Sequence, residues 1–332
     1  MGILKNIIYR VSRKIFLKNF RNQSIFPYYH LVSDNNIPHI ENLYQYKNVE
    51  QFLYDIKLLT SNYKSLNPKD LFENKISKNS FLLTFDDGLQ EVYTVIYPIL
   101  KQNNISAIFF INPNFIDNKE ALYKHYISII ISNLNNYGYK NETLLTISKM
   151  LSFSYTSVKE FKNNIKNVKF SNKEKLENVL LFLNINTDNY LIENTPYLTK
   201  IQIQEMIDNG FYFGGHTMSH PPLYQLDFDE QKIEIISSIE WLKINFGINY
   251  TLFAFPFSDR DVSKKVFNSI FEYDKNARIF GNSGLKEDFD SRIIQRFSLE
   301  NPNKSTEKQI VTENLYKIVN KIIGKYKIKR ND

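Results

Sequence analysis

The stretch Leu82–Glu91, LLTFDDGLQE, runs an apolar segment straight into two adjacent aspartates and then a glycine. SFLLTF (Ser80–Phe85) reads as a buried strand, so Asp86 and Asp87 stand at its C-terminal end. There each carboxylate penalises ionisation of the other. Neighbouring side chains of a strand point to opposite faces. A sharp turn at Gly88 lets both reach one cavity from different directions. A cation in that cavity offsets the repulsion, and one carboxylate can bind it while the other stays free as a base. Taken alone, the stretch also fits a plain Asp-Gly turn.

The second informative stretch is Gly214–Leu223, GGHTMSHPPL, which holds His216 and His220, two of the five histidines of the chain. A strand ending at Gly215 puts His216 on a rim, one short turn brings His220 to the same side, and Pro221 stops any longer helix. The chain has no cysteine, so a metal would need His, Asp or Glu ligands. Two imidazoles and one carboxylate form a recurrent triad with positions left open for water. Thr217 stands where a His-Glu-x-x-His protease helix needs its glutamate.

Around these stretches the pattern is strand, helix, strand. SIFPYYHLV (Ser24–Val32) and ISAIFFI (Ile105–Ile111) read as strands, and NVEQFLYDIKLLTSNY between them carries apolar residues at helical spacing. Residues 89–103 read as a helix kinked at Pro98. After FYFGGH come a long helix over 229–246 and the strands YTLFAFPF, ARIFGN and RIIQRFSL. This rhythm argues for parallel β/α units. Between about Pro113 and Pro196 it lapses into weak helical periodicity, a helical insertion over 113–196.

The net charge of +7 is concentrated at the ends. Residues 1–21 carry Lys5, Arg10, Arg13, Lys14, Lys18 and Arg21 without an acid, and 317–332 carry six bases against Asp332. The body between is net acidic, which argues against a nucleic-acid groove. No apolar run is long enough to span a membrane, and the start lacks the pattern of a signal peptide, so the expected compartment is cytoplasmic. Residues 3–20 read as a basic amphipathic helix with the stripe Leu4, Ile8, Val11 and Ile15, within a segment 1–23. A second such helix, with Leu315, Val319, Ile322 and Tyr326, lies in a segment 301–332. The stripes either pack on the body or place the protein peripherally on an anionic membrane.

TFDDG, GGHTMSHP and FAFPF occur here in an order that resembles the polysaccharide deacetylase family, the NodB-homology carbohydrate esterases. The likeness covers roughly residues 24–112 and 197–300. It implies a distorted (β/α) barrel of about seven strands over 24–300, with the site at the strands' C-terminal ends. It implies a divalent metal, usually zinc, on Asp87, His216 and His220, with Asp86 as general base. The backbone N–H at Phe257 matches the oxyanion donor. Two departures follow. No histidine comes after His220, but YYHLV resembles the first strand of circularly permuted members such as poly-N-acetylglucosamine deacetylases, which makes His30 the candidate acid. Ala254 or Phe255 replaces the arginine that usually orients the base, and Arg296 is the candidate substitute. Phe255 and Trp241 are candidates for a sugar platform.

The expected activity is metal-dependent removal of an acetyl (N-acyl) group from an N-acetylated sugar in a polysaccharide or lipid-linked glycan. The alternative is a non-catalytic carbohydrate-binding or scaffold protein on a decayed enzyme fold. A different metalloenzyme, such as an iron oxygenase, also uses the triad, but the free aspartate beside the ligand argues for hydrolysis.

Overall fold

A computed structural model describes residues 2–12 and 14–332; Arg13, counted above in the N-terminal helix, lies outside them. The chain divides into two compact units, one of residues 1–34, 46–113 and 200–332, the other of residues 35–45 and 114–199.

The first unit is built on an eight-stranded, all-parallel sheet. Its strands are β1 Pro27–Tyr29, β2 Leu83–Phe85, β3 Ala107–Ile111, β4 Tyr212–Gly215, β5 Leu252–Ala254, β6 Arg278–Gly281, β7 Ile293–Gln295 and β8 Phe297–Ser298. Their order is β8-β1-β2-β3-β4-β5-β6-β7. Only Arg296 separates β7 from β8, so one bent segment pairs with β6 on one side and β1 on the other. The sheet thereby closes nearly into a barrel, the distorted barrel expected from the sequence. SFLLTF divides at Leu82: Ser80–Phe81 pairs with Lys64–Ser65, and β2 enters the barrel.

Alternation sorts the side chains into two layers. Ile108, Phe110, Leu252, Ala254, Phe280 and Ile294 fill the interior with Leu66 and Leu71. Phe253, Phe255, Ile279 and Ile293 face outward, against Ile235 and Ile239 of helix Phe228–Phe246 and Val266, Phe267 and Ile270 of helix Lys264–Tyr273. Asp227 and Glu230 form a capping box at the start of Phe228–Phe246, and Gly247, at φ +64°, ends it. Gly214 and Gly215 let β4 approach its neighbours. A Cβ on Gly214 would lie 2.6 Å from the Phe110 ring, and one on Gly215 2.4 Å from Ser238 Oγ. The helix expected over 89–103 is a five-residue π-turn, Val92–Ile96, followed by the helix Tyr97–Gln102. The wider turn fits Pro98, which has no N–H to donate to the preceding turn.

The helix expected over 3–20 stops at Ser12, and Leu17–Phe20 forms a separate short turn. Ser12 Oγ donates to Tyr9 O, and Lys308 Nζ donates to Ser12 O and Ile15 O, so side chains satisfy carbonyls at the break. Ile8 and Ser12 are buried, with Ser12 Oγ 3.2 Å from Thr312 Oγ1, whereas Leu4, Ile7, Val11 and Phe16 are exposed. Helix Thr306–Ile322 buries Ile310, Val311 and Asn314 and leaves Ile322 exposed, so its inner face is not the stripe expected from the sequence. Asparagine and threonine on that face make the apolar periodicity misleading. Among the described residues no helix is long and apolar enough to cross a membrane.

The second unit contains five α-helices, Tyr123–Tyr137, Asn141–Met150, Val158–Lys166, Lys173–Phe182 and Thr187–Asn194. They bury Ile127, Ile130, Leu144, Phe161, Leu176 and Leu180 among others. Residues 35–45 join this unit: Asn42 Nδ2 donates to Ser128 O and Ser132 Oγ. His39 and His125 are buried here and bonded to Tyr190 and Tyr197.

Candidate metal and catalytic centre

β2 ends at Phe85, and the next two residues are Asp86 and Asp87. Asp87 and Gly88 both take left-handed backbone, at φ +74° and +65°. Thr217 (+68°), His220 (+56°) and Phe257 (+53°) do the same at the ends of β4 and β5. Such conformations cost energy in non-glycine residues and persist where the surroundings enforce them. Here they turn side chains from three strand ends toward one point.

Asp87 Oδ1 lies 3.4 Å from His216 Nε2 and 3.1 Å from His220 Nε2, and all three residues are buried. A tetrahedral ion with bonds of ~2.0–2.1 Å separates its ligand atoms by about 3.3–3.4 Å. Among the described residues no hydrogen-bond partner satisfies Asp87 Oδ1 despite its burial, which leaves its lone pairs for a centre shared with the two imidazoles. His216 Nδ1 is 2.8 Å from Ala254 O. That carbonyl takes the ring proton and leaves Nε2 as a donor atom for a cation. Burial pushes His220 below its ordinary value against the pull of Asp87, which favours the neutral, ligating imidazole. Burial opposes ionisation of Asp87, but His220 and His216 outweigh it and hold the carboxyl well below its usual range. These donors fit a divalent metal.

Asp86 makes no contact of that kind. Its two oxygens accept from Arg296 Nη1 at 2.7 Å and Nη2 at 2.9 Å, a bidentate clamp. Arg296 is 1 % exposed. Thr84 Oγ1 and Gly281 O accept two more of its protons, and the rings of Tyr28, Phe110 and Phe280 surround it. Against the cost of burial, Arg296 and then His216 lower the pKa of Asp86.

His30 follows β1. The register Tyr28↔Ser298 brings it level with Glu300. Its Nδ1 lies 2.8 Å from Glu300 Oε2, and Glu300 Oε1 accepts from the His30 and Leu31 amides. Burial favours neutral His30, yet Glu300, followed by Asp87 and Asp86, overrides it and raises the pKa to about 10. The side chain stays a quarter exposed, open to solvent on one side.

Phe257 is 43 % exposed, and its ring stands edge-on 4.7 Å from His220. Asn282 Nδ2 donates to its carbonyl. Among the described residues no acceptor is paired with its N–H. Two candidates fall elsewhere. Phe255 is buried against Phe253 and Phe267 in the outer core, because it follows inward-facing Ala254 by one residue. Trp241 lies near the C-terminal end of its helix, which leads into the start of β5, and packs on Phe246 and Lys200. That is the end of the barrel opposite Asp86. Neither ring lines the centre. Glu300 and Asn282 escaped the sequence reading; both act through register and loop contacts, which leave no spacing signal.

A model of the family "Polysaccharide deacetylase" matches residues 73–169 and 162–273. No curated protein matches the chain. Among solved structures, a deacetylase of Streptococcus pyogenes, PplD, in complex with acetate, is 17% identical, with a TM-score of 0.56 over 88% of this chain and 98% of that one. IcaB from Ammonifex degensii is 14% identical, with a TM-score of 0.52 over 88% and 97%. A de-N-acetylase from Aggregatibacter actinomycetemcomitans is 15% identical, with a TM-score of 0.52 over 86% and 99%. At such identities these likenesses concern the fold. With the family model spanning more than half of its length and the Asp-His-His triad intact, the chain belongs to the polysaccharide deacetylase family.

Proposed function

We propose that this chain is a hydrolase that removes the acetyl group from an N-acetylated sugar of a polysaccharide or lipid-linked glycan. The observation that carries the reading is the division of labour between adjacent aspartates: Asp87 faces two imidazoles and Asp86 is clamped by Arg296. A binding module has no use for a second, oriented carboxylate. Asp87, His216 and His220 would hold the cation, and the donor set suits zinc. When bound, such an ion supplies Lewis-acid polarisation of a carbonyl and acidification of water.

The residues divide the remaining work. Asp86, ionised and fixed by Arg296, accepts the proton of the attacking water. The Phe257 N–H faces the oxygen on which negative charge develops. His30, protonated through Glu300, gives its proton to the nitrogen as the C–N bond breaks, releasing acetate and a free amine. The S. pyogenes and A. actinomycetemcomitans proteins, described as a deacetylase and a de-N-acetylase, support the reaction class. Acetate release from a panel of N-acetylated glycans and lipid-linked sugars tests the reading. Wild-type turnover that survives unchanged in Asp86→Asn would refute it.

The exposed Leu4, Ile7, Val11 and Phe16, with Arg10, Lys14 and Lys18 on the same segment, support peripheral contact with an anionic membrane. Such contact would bring a lipid-linked glycan within reach.

A further inference from the structure

We propose that Arg330 is a positioning residue that locks the loop carrying Phe257, an inference that rests on the reading above. Two carboxylates outside the centre, Asp259 and Asp288, have fully buried side chains and meet at one guanidinium. Arg330 Nη2 is 2.5 Å from Asp259 Oδ2 and 2.5 Å from Asp288 Oδ2, Nε is 2.9 Å from Asp288 Oδ1, and Nη1 donates to Asp259 O. The guanidinium is 3.9 Å from the Phe267 ring centre and is itself 1 % exposed. Gln295 Nε2 bridges the same two acids, at 2.8 and 2.9 Å.

Asp259 is two residues beyond Phe257. Its Oδ1 accepts from the amide of Asn282, and the side chain of Asn282 donates to the carbonyl of Phe257. A continuous path thus runs from Arg330 through Asp259 and Asn282 to the Phe257 residue, held at φ +53° with its ring against His220 and its N–H without an acceptor among the described residues. The segment around Arg330 is fastened by its backbone as well. Ile328 N donates to Glu287 O, Glu287 N to Tyr326 O, and Lys264 N, at the start of its helix, to Asn331 O. Without the guanidinium, two buried anions share one pocket, and movement of the loop that carries Asp259 relieves their repulsion. A purely structural salt bridge would need no connection to the centre; this one ends on the carbonyl of Phe257, the residue whose N–H is the proposed oxyanion donor.

The test is Arg330→Gly in the full chain, loaded with zinc, with a pentamer of N-acetylglucosamine as the probe. Loss of one oxyanion donor costs about 10²–10³ in kcat, so a displaced one should cost about 10-fold or more, with KM little changed. Methylguanidinium, refilling the cavity, should restore kcat, and methylammonium at equal concentration should not. Hydrogen exchange gives a readout independent of turnover. Peptides covering 256–262 and 281–284 should exchange faster in the variant, and those covering 82–90 and 212–220 should not. Unchanged exchange in 256–262 overturns the lock whether or not the protein is a deacetylase. Faster exchange with unchanged kcat per metal-loaded molecule overturns the positioning role. A wild type without turnover on any N-acetylated sugar refutes the reading of function and leaves the exchange experiment to decide the lock.

Discussion

Replacing Arg296 by methionine tests the clamp on Asp86, the proposed base, most directly. The substitution keeps side-chain volume close but leaves the Asp86 carboxylate buried with no cation bonded to it. Breaking a buried pair on one side costs about 3–5 kcal/mol. At 1.36 kcal/mol per pKa unit this equals about 2–4 units of upward pressure on Asp86. In the wild type Arg296 holds Asp86 below its ordinary value, so the pair contributes stability above the unfolded carboxylate pKa of about 3.9. That stability is lost as pH falls through the lower folded pKa. In the variant burial dominates and the folded pKa lies above the unfolded one, so acidification relieves the strain. The stability gap should therefore be about 3–5 kcal/mol at pH 7 and should shrink toward pH 5. Denaturant unfolding of both proteins at the two pH values measures it, and the acidic limb of kcat/KM should move upward in parallel. A gap that is small at pH 7, or equal at both pH values, would refute the idea that Arg296 sets the ionisation of Asp86.

Four further outcomes are expected. Zinc at about 100 times its Kd should stabilise the wild type by about 2.7 kcal/mol, with a rise in Tm that His216→Gln abolishes; an equal rise in both would place the ion elsewhere. Glu300→Gln should lower the pKa of His30 from about 10, since burial is then opposed only by Asp87 and Asp86, and an NMR titration of the metal-free protein reads this directly. Because the folded pKa of His30 is raised, the stability it contributes is present below the unfolded value of about 6.5 and lost as pH rises through about 10; Glu300→Gln should weaken that dependence. Phe255→Ala should cost about 3–5 kcal/mol as a core cavity while acetate release per folded molecule stays level, against a platform role that would raise KM. Serine at Leu4, Ile7, Val11 and Phe16 should abolish sedimentation with anionic vesicles, and unchanged partitioning would remove the membrane from the scheme.

What the sequence disclosed and what it withheld follow from how each contact is made. Asp86, Asp87, His216 and His220 lie in two short stretches whose strand-then-turn pattern is local, so covalent neighbours already dictate their placement. Arg296 is legible only as a cation on a late strand. Its pairing with Asp86 depends on the bend between β7 and β8 that closes the barrel, a property of the whole sheet. Phe255 and Trp241 show the converse error. Aromatic residues near a motif suggest a sugar platform, but a shift of one position along a strand sends a side chain to the other face. Ala254 points inward, so Phe255 must point out. The same parity that excludes Phe255 assigns the site's second layer: Thr84, Phe110 and Phe280 face inward on β2, β3 and β6 and converge on Arg296. The geometry of the two carboxylates therefore depends on closure of the barrel as a whole, and a substitution such as Phe280→Ala, remote from both aspartates in sequence, should weaken Asp86 as the proposed base by loosening the guanidinium that holds it.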